Sequence, residues 1–363
     1  MLGSVLTCEW DVDRNRVRCS MATTHWLGDP PAEHDPLTAW ALSRLAATVA
    51  EDARVDAVVE IACEEREFEP ELEGRFGAGT TGGPASRRPR GTRTFRLDGV
   101  SPALLREEDS DEPWAVLFDP ARLIRGIGAV TRAERGKGYV ELALVPHPLF
   151  ADPADAWLPP GARGLVVRLD PGTGFLSSAT LHDDRDPLAT ARVDELGVRD
   201  VLSSAEAGWV VARMARTLVE PVRLTADVAV EADPHEDLAF TGGPSARSWT
   251  VSAGGRELTV TGDYAPDVTS PSAARLAELL APARIVSHLA RVTAVSATSV
   301  RAGVRPLRTF PLSAWAPDES LTCAFTVDQE TGVLVRAEAT AEEEGGRVVF
   351  RHVVTALGAR RSG

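Results

Sequence analysis

The sequence predicts an α+β protein of two tandem copies of one unit, each a strongly curved antiparallel sheet with helices packed across one face. Three observations lead there. First, blocks of sequence recur in a fixed order: Thr38 to Glu51 (TAWALSRLAATVAE) returns as Ala207 to Glu220 (AGWVVARMARTLVE). Thr81 to Pro84 (TGGP) returns as Thr241 to Pro244, and Phe118 to Ile124 (FDPARLI) as Leu280 to Val286 (LAPARIV). Trp157 to Pro160 and Leu169 to Gly174 (LDPGTG) return as Trp315 to Asp318 and Val327 to Gly332 (VDQETG). Second, each copy is mostly short segments with apolar residues at alternate positions, the period of a half-buried strand. Third, helical periodicity is confined to two places per copy, without the βαβ alternation of a parallel sheet. The copies are placed at 35–204 and 205–363, after an N-terminal extension, 1–34, that holds a candidate β-hairpin.

Each copy opens on a helix. Asp35 is a suitable N-cap with Pro36 at the first helical position, and Leu37, Trp40, Ala41, Leu45, Thr48 and Val49 share one face. Val211, Met214, Ala215, Leu218 and Val219 form the matching stripe. Strands follow at Arg54 to Ile61 and Arg223 to Val230, then a Gly/Pro-rich turn and short strands at Thr92 to Leu97, Arg247 to Val251 and Glu257 to Thr261. Mid-copy helices are expected from Pro113 and Pro271, and again from Pro120 and Pro282, since proline fits a first helical turn. Their apolar faces are Leu123, Ile124 and Ile127 in one copy and Ile285, Val286 and Leu289 in the other. Hairpins complete each copy: Gly164 to Leu169 turns through Asp170 to Gly174 into Phe175 to Leu181, and Leu321 to Val327 turns through Asp328 to Gly332. The terminal glycines supply the positive φ of such turns. Arg347 to Val354 is the last strand, and the short linker from Asp200 to Glu206 brings the copies into contact.

Length and a 44% apolar composition suffice for two cores of ~150 to 180 residues each. A net charge of −14 disfavours nucleic acid and anionic membranes as partners. No window reaches the ~18 to 20 apolar residues of a membrane span, and the N-terminus lacks the pattern of a secretory signal. The expected location is cytoplasmic as written, and extracytoplasmic if an export signal precedes this N-terminus. The cysteines, Cys8, Cys19, Cys63 and Cys323, lack the spacing of zinc or redox motifs and read as free thiols. Lys137 is the sole lysine beside many arginines, as in a GC-rich bacterial genome.

No catalytic constellation is present in the pattern, so no enzyme activity, cofactor or metal is expected. The seven histidines are scattered and none recurs between copies. The acidic runs around His182 and His235 read as solvated loops. Gly126-Ile-Gly128 and Gly172-Thr-Gly174 lack the third glycine of a dinucleotide site, and neither a P-loop nor a nucleophile elbow occurs. Trp40, Trp209, Trp157 and Trp315 read as packing anchors.

The order helix, long strand, Gly/Pro turn, Pro-x-Arg mid-helix, Trp-x-Pro and Asp-x-x-Thr-Gly hairpin resembles the LolA-like lipoprotein-carrier superfamily, above all its actinobacterial members. Val327 to Ala337 (VDQETGVLVRA) carries the likeness best. The resemblance implies an unclosed half-barrel whose helices lie over an apolar cavity for acyl chains. Leu123, Ile124, Ile127, Ile285, Val286 and Leu289 would then line the pocket, with lipid as the ligand. Members that regulate envelope-stress sigma factors share this fold, which implies an alternative: an interaction or regulatory module with filled cores and a protein partner.

Overall fold

A computed structural model describes residues 6–11, 16–21, 27–51, 53–63, 91–100, 119–146, 163–183, 186–199, 204–220, 223–232, 247–253, 256–262, 282–304, 321–343 and 347–361. A two-stranded hairpin, β1 (Leu6–Asp11) and β2 (Arg16–Met21), comes first. Helix α1 (His34–Ala47) runs into a 3₁₀ turn (Thr48–Ala50) and then β3 (Arg54–Cys63). After β4 (Gly91–Val100) and the short helix α2 (Arg122–Gly126) come β5 (Ile127–Arg135), β6 (Val140–Pro146), β7 (Gly164–Leu169), β8 (Leu176–His182) and β9 (Pro187–Arg199). Helix α3 (Ala205–Arg216) starts the second half, followed by β10 (Arg223–Ala232), β11 (Arg247–Ala253) and β12 (Arg256–Gly262). A 3₁₀ segment (Pro282–His288) leads into β13 (Leu289–Ser296), β14 (Ser299–Val304), β15 (Leu321–Val327), β16 (Leu334–Glu343) and β17 (Arg347–Arg361).

The two large sheets are open and share a strand order. One reads β4-β3-β9-β8-β7-β6-β5; the other reads β12-β10-β17-β16-β15-β14-β13, with β11 outside β12. Pairing is antiparallel except between β10 and β12, which run parallel, whereas β3 and β4 are antiparallel. The protein is therefore α+β with open, mainly antiparallel sheets, as the strand periodicity predicts.

Corresponding elements of the halves face one another. Helix α1 packs on α3, and α2 packs on the 282–288 segment, as equivalent surfaces meet in a self-complementary interface. One apolar cluster runs through both halves, joining Leu42, Leu45 and Val59 to Val211, Met214 and Phe325. This explains why α1 is buried continuously from Leu37 to Thr48 instead of along one stripe. Its second side meets α3.

Two expectations are corrected. Helix α1 begins at His34 with Glu33 as N-cap, so Asp35 and Pro36 lie inside the first turn; Leu37 N–H donates to the Glu33 carbonyl at 2.9 Å. Ile127 and Leu289 are not on helices but are the first residues of β5 and β13. Gly126 costs backbone entropy in a helix, and β-branched Ile127, Val130 and Thr131, like Val292 and Thr293, favour the extended chain, so the helical turns stop short. The expected helices from Pro113 and Pro271, both TGGP turns, Trp157 and Trp315 lie outside the described residues.

Asp56 of β3 ties together three strands of the first sheet. Its Oδ1 accepts from Gly99 N–H of β4 and from Arg199 Nη2 of β9, each at 2.8 Å, and Oδ2 lies 2.6 Å from Arg199 Nε. The Arg199 hydrogen bond, helped by the Gly99 amide, holds this carboxyl below its ordinary value of 3.8 against the opposing effect of burial. The charged form is the one the native state prefers, so its contribution to stability is complete above pH 3.8 and is lost as pH falls from there through the lowered native value. Urea midpoints measured from about pH 5 down to about pH 2 should show this acid limb in the parent protein, and Asp56→Asn should flatten it. Equal acid limbs in both proteins would refute the assignment.

Candidate functional site

The recurring blocks that lie far apart in sequence meet in space. Arg44 projects from the last turn of α1 and is 1% exposed, and its Nη1 donates to Glu51 Oε1 at 2.8 Å. Its Nη2 donates to the Gly172 carbonyl in the β7–β8 turn at 3.2 Å. In the second half Arg213 Nη2 donates to the Glu330 carbonyl at 2.6 Å, and Nη1 lies 3.5 Å from Glu220 Oε2. Each helix thus holds, through one arginine, the third residue of an Asp-x-x-Thr-Gly turn.

Each turn is built to receive it. Asp170 Oδ1 accepts from Thr173 N–H at 2.7 Å and Thr173 Oγ1 at 2.9 Å; Asp328 Oδ1 accepts from the same groups of Thr331, both at 2.8 Å. Gly174 (φ +77) and Gly332 (φ +71) close the loops in the left-handed region. A Cβ on Gly174 would stand 2.6 Å from the Arg44 guanidinium, and one on Gly332 would stand 2.5 Å from the Arg213 carbonyl oxygen. Thr48 and Thr217 turn their hydroxyls back to the Leu45 and Met214 carbonyls, each at 2.6 Å, so neither buried hydroxyl is left without an acceptor.

The two contacts differ in burial. Arg44 and Glu51 are each 1% exposed, whereas Glu220 is 31% exposed and is shared with Arg216, whose Nε donates to it at 2.7 Å. Burial pushes the Arg213 guanidinium below its ordinary range, against the pull of Glu220.

All six expected pocket residues are deeply buried: Leu123, Ile124, Ile285 and Val286 at 0%, Ile127 and Leu289 at 1%. They join the apolar cluster that runs through both halves, where α2 meets the 282–288 segment. Buried polar residues missed by the sequence reading lie on the same elements: Asp119 and Arg122 beside α2, Ser287 and His288 beside β13. For Asp119 and Arg122 the repeated Pro-x-Arg block is the signal in the sequence; Ser287 and His288 lie beyond it and carry none. Cys323 is buried and is not in a disulfide. Among the described residues no group of three His, Cys, Asp or Glu side chains could hold a metal ion, and no helix is long and apolar enough to cross a membrane.

The buried pair yields a graded expectation. Arg44→Met takes the guanidinium away from a carboxylate whose side chain is 1% exposed and should cost about 3 to 5 kcal/mol. Arg213→Met leaves Glu220 with Arg216 and should cost about 1.5 to 3 kcal/mol, the worth of a charge-assisted hydrogen bond. Adding Glu51→Leu to Arg44→Met should recover much of the loss. Chemical denaturation of the three variants checks the order, and equal losses for the two arginines would contradict it.

No family model matches the chain, and no curated protein does. Among solved structures it is similar to a chain of the Pseudomonas aeruginosa MucA/MucB complex, at 11% identity over 90% of this chain and 99% of that one, with a TM-score of 0.23. It is also similar to MucB in complex with MucA(peri), at 12% identity, 89% and 98% coverage and a TM-score of 0.22. A third match is MucB itself, at 11% identity, 87% and 91% coverage and a TM-score of 0.25.

Proposed function

We propose that this chain is a non-enzymatic interaction or regulatory module of LolA-like type, with units 35–204 and 205–363, that engages a protein partner and carries no acyl chain. The observation that supports this reading is the packing of the six expected pocket residues. A cavity wide enough for an acyl chain is also wide enough for water, so residues lining it would keep surface that water can reach. Leu123, Ile124, Ile127, Ile285, Val286 and Leu289 keep 0 to 1%. Their partners are apolar residues of the same core, which is how a filled interior is packed.

The filled-core and lipid readings separate on the same variants. With a filled core, Ile127→Ala and Leu289→Ala should each cost about 2 to 5 kcal/mol through lost contacts and a new void. Native mass spectrometry of the parent protein should then show the bare chain, and a fluorescent fatty acid should not bind. A co-purified lipid, together with truncation costs of only about 1 to 2 kcal/mol, would overturn the proposal in favour of an acyl-chain carrier.

A further inference from the structure

We infer that His34 is an acid-sensitive latch between the start of helix α1, which the segment 27–33 precedes, and β5, the terminal strand of the first large sheet. Strand β5 ends that sheet, and among the described residues it pairs with β6 alone. Ala133 sits opposite Leu142 in this ladder, yet its N–H donates away from β6, to His34 Nδ1 at 3.1 Å. An outward N–H on a terminal strand is the group through which a sheet recruits another strand. Here an imidazole occupies it. Two further bonds hold the segment that precedes the helix: Arg135 Nη1 of β5 donates to the Pro30 carbonyl at 3.0 Å, and Trp40 Nε1 of α1 itself donates to the Gly28 carbonyl at 3.1 Å.

The chemistry of the latch is asymmetric. Nδ1 accepts the Ala133 N–H only while it carries no proton; once protonated, both ring nitrogens are donors and the bond is replaced by two N–H groups facing each other. Acid therefore removes the acceptor and adds a positive charge at the sheet edge. The side chain is 46% exposed, so protons reach it without unfolding. The Asp35 carboxylate stands 3.8 Å from Nε2 and gives the imidazolium an anion on the side away from β5. The other charged residues on the elements around it are Asp29 and Glu33 in the segment, and Arg132, Glu134 and Arg135 on β5. The Arg135 bond to the Pro30 carbonyl does not involve the imidazole, so acid removes one of two bonds to β5 and does not detach this region outright.

Amide hydrogen exchange on the full chain tests this. Between about pH 8 and pH 5, the interval in which histidine changes charge, the protection of the Ala133 amide, corrected for intrinsic exchange, should fall about three- to tenfold, the range set by one lost hydrogen bond. The amides of β7 and β8 should hold their protection. His34→Asn places a non-titrating carbonyl oxygen near the position of Nδ1, and its Ala133 amide should stay protected throughout. Unchanged protection of Ala133 in the parent protein overturns the inference, as does an equal fall in His34→Asn. If that variant does not fold, the parent measurement decides alone.

Discussion

The buried Arg44–Glu51 pair is the constraint on which the first half is organised. A guanidinium held inside a protein requires a carboxylate and carbonyl oxygens in fixed places, and here these come from the end of the 3₁₀ turn and from a hairpin more than a hundred residues on. The helix cannot shift along the sheet without leaving a charge unsatisfied. The turn in its place needs an aspartate to bind its own threonine, and a glycine where the guanidinium passes. Five residue types scattered along the sequence are therefore one object in space, and they recur as a set in the second half.

That object sets the register of everything around it. With the hairpin fixed under the helix, β7 and β8 present Leu165, Val167, Leu169 and Leu181 to the core, and α1 turns its remaining apolar surface toward α3. The second half repeats the arrangement with one loosened element, because Glu220 is partly exposed and divides itself between two arginines. The same plan is thus held by a dry contact in one half and a wetter one in the other.

Much of this was legible in the sequence. The strands β3, β7, β8 and β15 and both Asp-x-x-Thr-Gly turns follow from alternation and from glycine at the positive-φ position. The buried arginines were in view, recurring with a glutamate seven residues later, but a charged residue on an apolar helix face is read by default as solvated. The second acceptor of each arginine, a carbonyl of the distant hairpin, emerges only in the fold. Ile127 and Leu289 were assigned to helices because their spacing from Leu123 and Ile285 suits a helix, whereas the β-branched residues that follow decide for strand. The parallel pairing of β10 with β12 leaves no local trace, since strand direction depends on the path of the connecting chain. The burial of α1 on both sides was equally hidden, because its second partner is the other half.

The core shared across the α1–α3 contact has a thermodynamic consequence. Residues of both halves share one apolar cluster across the α1–α3 contact, so opening either half exposes surface belonging to the other, which favours a joint unfolding of the two. A partner bound to the outer face of one sheet then protects the opposite sheet as well, by mass action on a common unfolded state. Distant surfaces of this chain are in this sense coupled without any change of shape: occupancy at one end is felt at the other as resistance to unfolding.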